Sequence, residues 1–277
     1  MSKEKRKRTA LVYDFDGTLA RGCLQDVSFI PDIGMKKKKF WEEVRARARD
    51  QDVDEILMYM QLMLEKKPDK VTAKYLSSHG KGAKLFDGLA DRSWFDRINK
   101  HANGLGLSLE HYIVSSGIEE MIEGCRIRDA FTSVFASKFH YRDCVAECPG
   151  VAINYTTKTQ YLYRISKGIE NHWDRKEINR QIPSNELPIP FRRMVFLGDG
   201  DTDVPSMTML RKKGGHSVAV YDPKKNGRNE VHELIADNRV NFVAPADYRE
   251  GSELGIIVKG VLSHIARHDC PVGEELD

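Results

Sequence analysis

Two short acidic segments hold the residue types best suited to chemistry: Asp14-Phe15-Asp16-Gly17-Thr18 near the N-terminus and Gly198-Asp199-Gly200-Asp201-Thr202-Asp203 far downstream. Each follows an apolar run and enters a glycine-containing turn, so each can present carboxylates at the carboxyl end of a strand. Ligands of open α/β sheets gather there. Carboxylates brought together from distant segments repel one another unless a cation offsets the charge. The simplest chemistry for such a cluster is a Mg²⁺-dependent site that handles a phosphate ester.

The elements that must position these residues can be read from periodicity. Thr9 to Phe15 reads as a buried strand. Lys39 to Val44 opens a helical pattern, which resumes from Asp54 to Glu65 with Ile56, Leu57, Met60 and Met63 or Leu64 at helix-like intervals. Pro68-Asp69-Lys70 interrupts it, another helix runs through Leu76, and a further one spans Asp91 to Ala102. The helices through Leu76 form a helical insert between the first strand and the next core element, and the last helix either completes it or already returns to the core. His111 to Gly117 is the next strand-to-turn candidate, with a helix beginning at Ile118. Phe131 to Ser137 reads as a strand, followed by an irregular passage through Asn154. Lys158 to Ile165 reads as a helix that packs Leu162 and either Tyr161 or Tyr163. Pro183, Pro188 and Pro190 mark a loop. Met194 to Leu197, Ser217 to Val220 and Val240 to Val243 read as later strands. Such alternation predicts an α/β fold with helices covering a mostly parallel sheet.

These motifs, in this order, resemble the haloacid-dehalogenase-like hydrolase superfamily. Asp14 to Thr18 matches its first motif and Ser115, after Tyr112-Ile113-Val114, its second. Lys158, or alternatively Lys167, matches the third, and Gly198 to Asp203 the fourth. The layout is most similar to the phosphoserine-phosphatase-like branch with a helical cap. The resemblance implies a Rossmann-like three-layer core at 1–21 and 91–277 and a small helical cap at 22–90 inserted after the first strand. It implies that Asp14 attacks phosphorus to form an aspartyl-phosphate, while Asp16 protonates the leaving oxygen and then helps to activate water. Mg²⁺ would be held by Asp14, Asp199 and the backbone carbonyl of Asp16, with Asp203 supporting through water or by organising nearby donors. Ser115, with Ser116 and Gly117 in the same turn, would bind phosphate, and Lys158 would bring positive charge to it. Thr18 contacts either phosphate or its own turn, and Asp201 either the metal site or the turn.

The implied activity is hydrolysis of a small phosphorylated metabolite, with no single substrate singled out. A phosphomutase or phosphotransferase using the same intermediate is the nearest rival, and an inactive binding or scaffold protein is the other. Asp16 argues against halide removal, and no lysine of the insert announces the Schiff base of a phosphonate hydrolase. Phe40, Trp41, Met58 and Tyr59 either pack the insert or line its mouth. Lys36 to Lys39 form a solvated run or steer an anionic ligand.

Composition agrees with a globular chain: 277 residues, 40% hydrophobic and 31% charged. A formal charge of +3 is too small to predict nucleic-acid binding. The basic run Lys3, Lys5, Arg6, Lys7 and Arg8 reads as a solvated tail. Cys23, Cys125, Cys144, Cys148 and Cys270 lack zinc-ribbon or Cys-x-x-Cys spacing, and His111, His216 and His232 show no zinc pattern either. With no apolar stretch of membrane-spanning length and no secretory leader, a cytoplasmic protein without membrane partners is expected. The sequence assigns no oligomeric state.

Overall fold

A computed structural model describes residues 6–67, 70–200, 202–225 and 233–268. Lys3, Lys5, Pro68, Asp69, Asp201, His232 and Cys270 lie outside the described residues.

The first strand, β1 (Lys7–Tyr13), lies at the centre of a seven-stranded sheet. It is parallel to β2 (Leu107–Ile118) on one side and to β5 (Met194–Gly198) on the other. Beyond β2 comes β3 (Ser133–Arg142), and beyond β5 come β6 (His216–Tyr221) and β7 (Phe242–Pro245), all parallel. β4 (Val145–Val151) is the one antiparallel strand, hydrogen-bonded to β3 at the edge.

Alternation along β1 builds two cores. Leu11 and Tyr13 point to one face, where α5 (Ser93–Gly104) and the last described helix, α10 (Glu253–His268), cover them. Ala10 and Val12 point to the other, against α7 (Lys158–Lys167) and α9 (Val204–Lys212). This is a mostly parallel three-layer α/β core.

The helical insertion after β1 contains a short turn, α1 (Ile30–Asp32), then α2 (Lys37–Gln51), α3 (Glu55–Lys66) and α4 (Ala73–Gly80). Asp54 caps α3 by accepting from the amides of Ile56 and Leu57, and Thr72 caps α4 through the amide of Tyr75. Phe40, Met58 and Tyr59 are buried, so packing accounts for them, and of the pair Met63 and Leu64 it is Met63 that is fully buried. The insertion's apolar residues join the same core as α5 and α10. Its last helix meets α6 (Glu119–Glu123) at very short range: a Cβ on Gly124 would lie 1.8 Å from the carbonyl of Ser77, and one on Gly80 would lie 1.9 Å from that of Met121.

Two readings need correction. The passage after Ser137 is a hairpin, β3–β4, whose turn residues Asp143 and Cys144 both have positive φ (50° and 65°). A two-residue turn of that hand suits the twist of paired strands, but Asp-Cys lacks the glycine that usually signals it. β2 continues through Ile118, with a register shift between Val114 and Ile118, so Ser115 to Gly117 lie in an irregular strand end. The helix after it is confined to five residues. The loop marked by Pro183, Pro188 and Pro190 holds no helix or strand, and a short helix, α8 (Arg175–Asn179), capped by Asp174, precedes it. Tyr161 is the buried tyrosine of α7, and Tyr163 is exposed.

Candidate active site

Because β1 pairs with β2 on one side and β5 on the other, its carboxyl end is the point where strand order reverses. The residue leaving β1 is Asp14. Its amide donates to the carbonyl of Leu197 at 2.9 Å, tying the first acidic turn to the strand that launches the second. Gly17 has φ of +78°, and a Cβ there would fall 1.9 Å from Oδ2 of Asp199. The two remote turns are therefore in contact. Asp14, Asp199 and Asp203 each offer one carboxylate oxygen, and these oxygens lie within 4.8 Å of one another. Asp14 and Asp203 are buried and Asp199 is exposed, a pocket of hard oxygens with one side open.

Lys158, at the first position of α7, reaches this cluster and is fully buried. Its Nζ lies 3.1 Å from Asp14 Oδ1 and donates to Asp203 Oδ1 at 2.7 Å and to Thr202 Oγ1 at 3.2 Å. Burial alone would lower the lysine's pKa, but Asp14 and Asp203 on either side outweigh it and raise it, so the ammonium persists. Burial lifts Asp203 above the usual carboxylate range, with Lys158 pulling against it. Lys167 is not brought to the site; its Nζ donates to the carbonyls of Ile178 and Arg180.

Asp16 lies on the insertion side of the same turn. The amide of Leu24 donates to its Oδ1 at 3.3 Å, and a Cβ on Gly117 would lie 3.2 Å from its Oδ2. Burial, then the charge of Asp14, push its pKa up to about 8, which keeps it an acid at neutral pH. Ser115 is fully buried and its Oγ accepts from the amide of Gly117 at 3.1 Å. The carbonyl of Ser116 accepts from the hydroxyl of Tyr59 at 2.7 Å and from Ser137 Oγ at 3.2 Å. Thr18 is fully buried; its carbonyl accepts from Tyr248 at 2.7 Å, while its hydroxyl meets no partner among the described residues.

The site thus gathers Asp14, Asp16, Lys158, Ser115, Gly117, Thr18, Asp199 and Asp203. The sequence reading gave no separate role to Thr202, a lysine partner inside the fourth motif, or to Tyr248, which clamps the first turn from beyond β7. The signal for Thr202 was its place in that motif; Tyr248 carried none.

The donor set fits Mg²⁺. Three carboxylates converge, Asp203 Oδ2 is buried without a hydrogen-bond partner, and the ligand atoms are all oxygen. Carboxyl groups gathered around a fixed cation are groups that cleavage of a phosphate ester can use.

No protein-family model matches the chain. An uncharacterized protein of Borreliella burgdorferi is 25% identical over 282 residues, covering 91% of this chain and 95% of that protein. Among solved structures, a probable phosphoserine phosphatase from Vibrio cholerae superposes with a TM-score of 0.58 at 16% identity, covering 95% of this chain and 67% of that one. A substrate-bound phosphoserine phosphatase gives 0.55, also at 16% identity, covering 93% and 99%. The chain has the fold of the haloacid-dehalogenase-like hydrolases, in the form with a helical cap that phosphoserine phosphatases share.

Proposed function

We propose that this protein is a phosphomonoester hydrolase that works through an aspartyl-phosphate on Asp14. One observation carries the reading: Asp14 lies 3.1 Å from the fully buried ammonium of Lys158 and converges with Asp199 and Asp203 of the other acidic turn.

In this reading Oδ1 or Oδ2 of Asp14 forms the new bond to phosphorus as the bond to the leaving oxygen breaks. Asp16 hands its proton to that oxygen, then takes one from the water that opens the acyl phosphate. Lys158 and the hydroxyl of Ser115 hold the phosphoryl oxygens, with Gly117 leaving room for them. Asp14, Asp199, Asp203 and the carbonyl of Asp16 would hold Mg²⁺, which when bound neutralises the phosphate's charge. The helical insertion covers the site and keeps bulk water from it. The proposed division is a core at 1–21 and 91–277 and a cap at 22–90.

The test is release of inorganic phosphate from p-nitrophenyl phosphate with and without Mg²⁺. Asp14→Asn should abolish turnover, and Asp199→Asn should raise the Mg²⁺ concentration needed for half-maximal rate. Full activity of metal-free Asp14→Asn protein would overturn the mechanism. Labelled phosphate appearing on an added alcohol instead of in solution would favour the phosphotransferase.

A further inference from the structure

Lys158 opens α7, so where its ammonium lies depends on how the chain enters that helix. The entry is built by Asn154. Its Oδ1 accepts from the amides of Thr156 at 3.0 Å and Thr157 at 2.9 Å, and from Thr156 Oγ1 at 2.8 Å. The Asn154 carbonyl accepts from the amide of Lys158 at 3.0 Å, and its amide donates to Thr157 Oγ1 at 2.8 Å. This is the turn chemistry for which asparagine is suited, and it uses the side-chain oxygen alone.

The carboxamide nitrogen makes a bond that the turn does not require. With Oδ1 committed to the backbone, Nδ2 donates to Asp54 Oδ2 of the helical insertion at 2.7 Å, across 100 residues of chain. Asp54 is itself the cap of α3, where its Oδ1 accepts from the amides of Ile56 at 2.9 Å and Leu57 at 3.2 Å. One carboxylate therefore starts α3 while its second oxygen holds the residue that starts α7. A charged acceptor places this bond in the stronger class. A second path leaves the same helix. Tyr59 donates to the Ser116 carbonyl, which also accepts from Ser137 Oγ, and that hydroxyl accepts from the amide of Ile153 at 3.0 Å. Helix α3 thus grips the Ser115 end of β2 with one residue and the footing of Lys158 with another.

We infer that Asn154 is a positioning residue for Lys158, and that Asp54 makes this positioning depend on the docked insertion. This rests on the hydrolase reading above, in which Lys158 holds the phosphoryl oxygens. While Asp54 meets Asn154, the turn is fixed and Lys158 Nζ stays 3.1 Å from Asp14 and 2.7 Å from Asp203. Without that contact the carboxamide loses its charged partner, and the start of α7 is held from one side only. Reaction rates are sensitive to small misplacements of a charged group at the reacting centre. The lysine is then set for phosphate only when the insertion covers the site, which ties the chemistry to exclusion of water.

The experiment exchanges the two partners. Asp54→Asn keeps an oxygen to cap α3 but turns an NH₂ toward that of Asn154. Asn154→Asp keeps the turn but sets carboxylate against carboxylate. In the double exchange, D54N with N154D, the bond re-forms with donor and acceptor reversed. Two quantities are read with Mg²⁺ on protein shown to be folded: kcat on p-nitrophenyl phosphate, and the Kd of inorganic phosphate by calorimetry. A bond that only stabilised the fold would move the urea midpoint and leave both unchanged. Each single exchange should lower kcat and weaken phosphate binding about tenfold, and the double exchange should return both to within about threefold of wild type. If a single exchange does not fold, Asp54→Ser takes its place, since serine caps α3 but has no second oxygen for Asn154. Single variants equal to wild type in both quantities, or a double no better than the singles, overturn the inference and leave the hydrolase standing. Phosphate binding that follows the expected pattern in a protein without turnover overturns the hydrolase reading alone. Neither turnover nor any change in phosphate binding overturns both.

Discussion

Gly17 and Asp199 touch: the space a methyl group would need on the first turn is filled by a carboxylate oxygen of the second, 1.9 Å from the ideal Cβ position. Gly17→Ala must push Asp199 away and also hold a side chain at φ of +78°. The expected outcome is a loss of about 1–3 kcal/mol in urea unfolding, together with weakened Mg²⁺ dependence of phosphate release. A variant as stable and as active as wild type would mean that the two turns do not meet in solution.

Lys158 is the only described cation within ion-pair reach of Asp14 and Asp203, and it is fully buried. Lys158→Met leaves two buried carboxylates without their partner. Breaking a buried pair from one side costs about 3–5 kcal/mol, so the urea midpoint should fall sharply. Millimolar Mg²⁺ should recover part of that loss, since an ion that binds only the folded state stabilises it. A midpoint unmoved by the substitution would refute the electrostatic role.

Asp16 should shape the alkaline side of the rate profile. Its folded-state pKa is raised to about 8, so the proton it donates is present below that value and lost as pH rises through it. Mg²⁺ beside Asp14 offsets part of the cause, which places the limb no higher than about 8. Asp16→Asn should remove this limb and slow alkyl phosphates about 10²–10⁴-fold. It should slow p-nitrophenyl phosphate far less, because that leaving group needs little protonation. Equal slowing of both would assign Asp16 another role.

His111 predicts acid sensitivity of the fold itself. Its Nδ1 accepts from the Tyr13 hydroxyl at 3.0 Å, which in turn accepts from Trp94 Nε1 at 3.0 Å, and its Nε2–H donates to Asn99 Oδ1 at 3.1 Å. Burial pushes its pKa down to about 3 from 6.5. The folded state therefore keeps it neutral while the unfolded chain takes up a proton below 6.5. Its contribution is complete above 6.5 and is lost progressively as pH falls toward 3, at up to about 1.4 kcal/mol per pH unit. Unfolding free energies at pH 7 and pH 5 should differ less in His111→Gln than in wild type. An identical difference would show that His111 takes no part.

The acidic turns were legible because each follows a short apolar run, buried on both faces, that ends at a glycine turn too soon for a helix. Lys158 was legible only through motif order; its burial depends on partners from two other segments. The β3–β4 hairpin was hidden because Lys138, His140, Arg142 and Glu147 give a polar texture and the turn lacks glycine. Gln25 carried no signal at all. It belongs to no motif, and its Oε1 is buried without a hydrogen-bond partner among the described residues.

Tyr13 is aligned with Ile113 on one flank and with Leu197 on the other. The half-chains on either side of the proline loop thus each own only part of the catalytic furniture. A protein cut between Pro183 and Pro188 would yield two inert pieces, and turnover would reappear only when both were mixed. During synthesis, likewise, the ribosome must deliver the segment around Asp199 before the first turn has anything to work with.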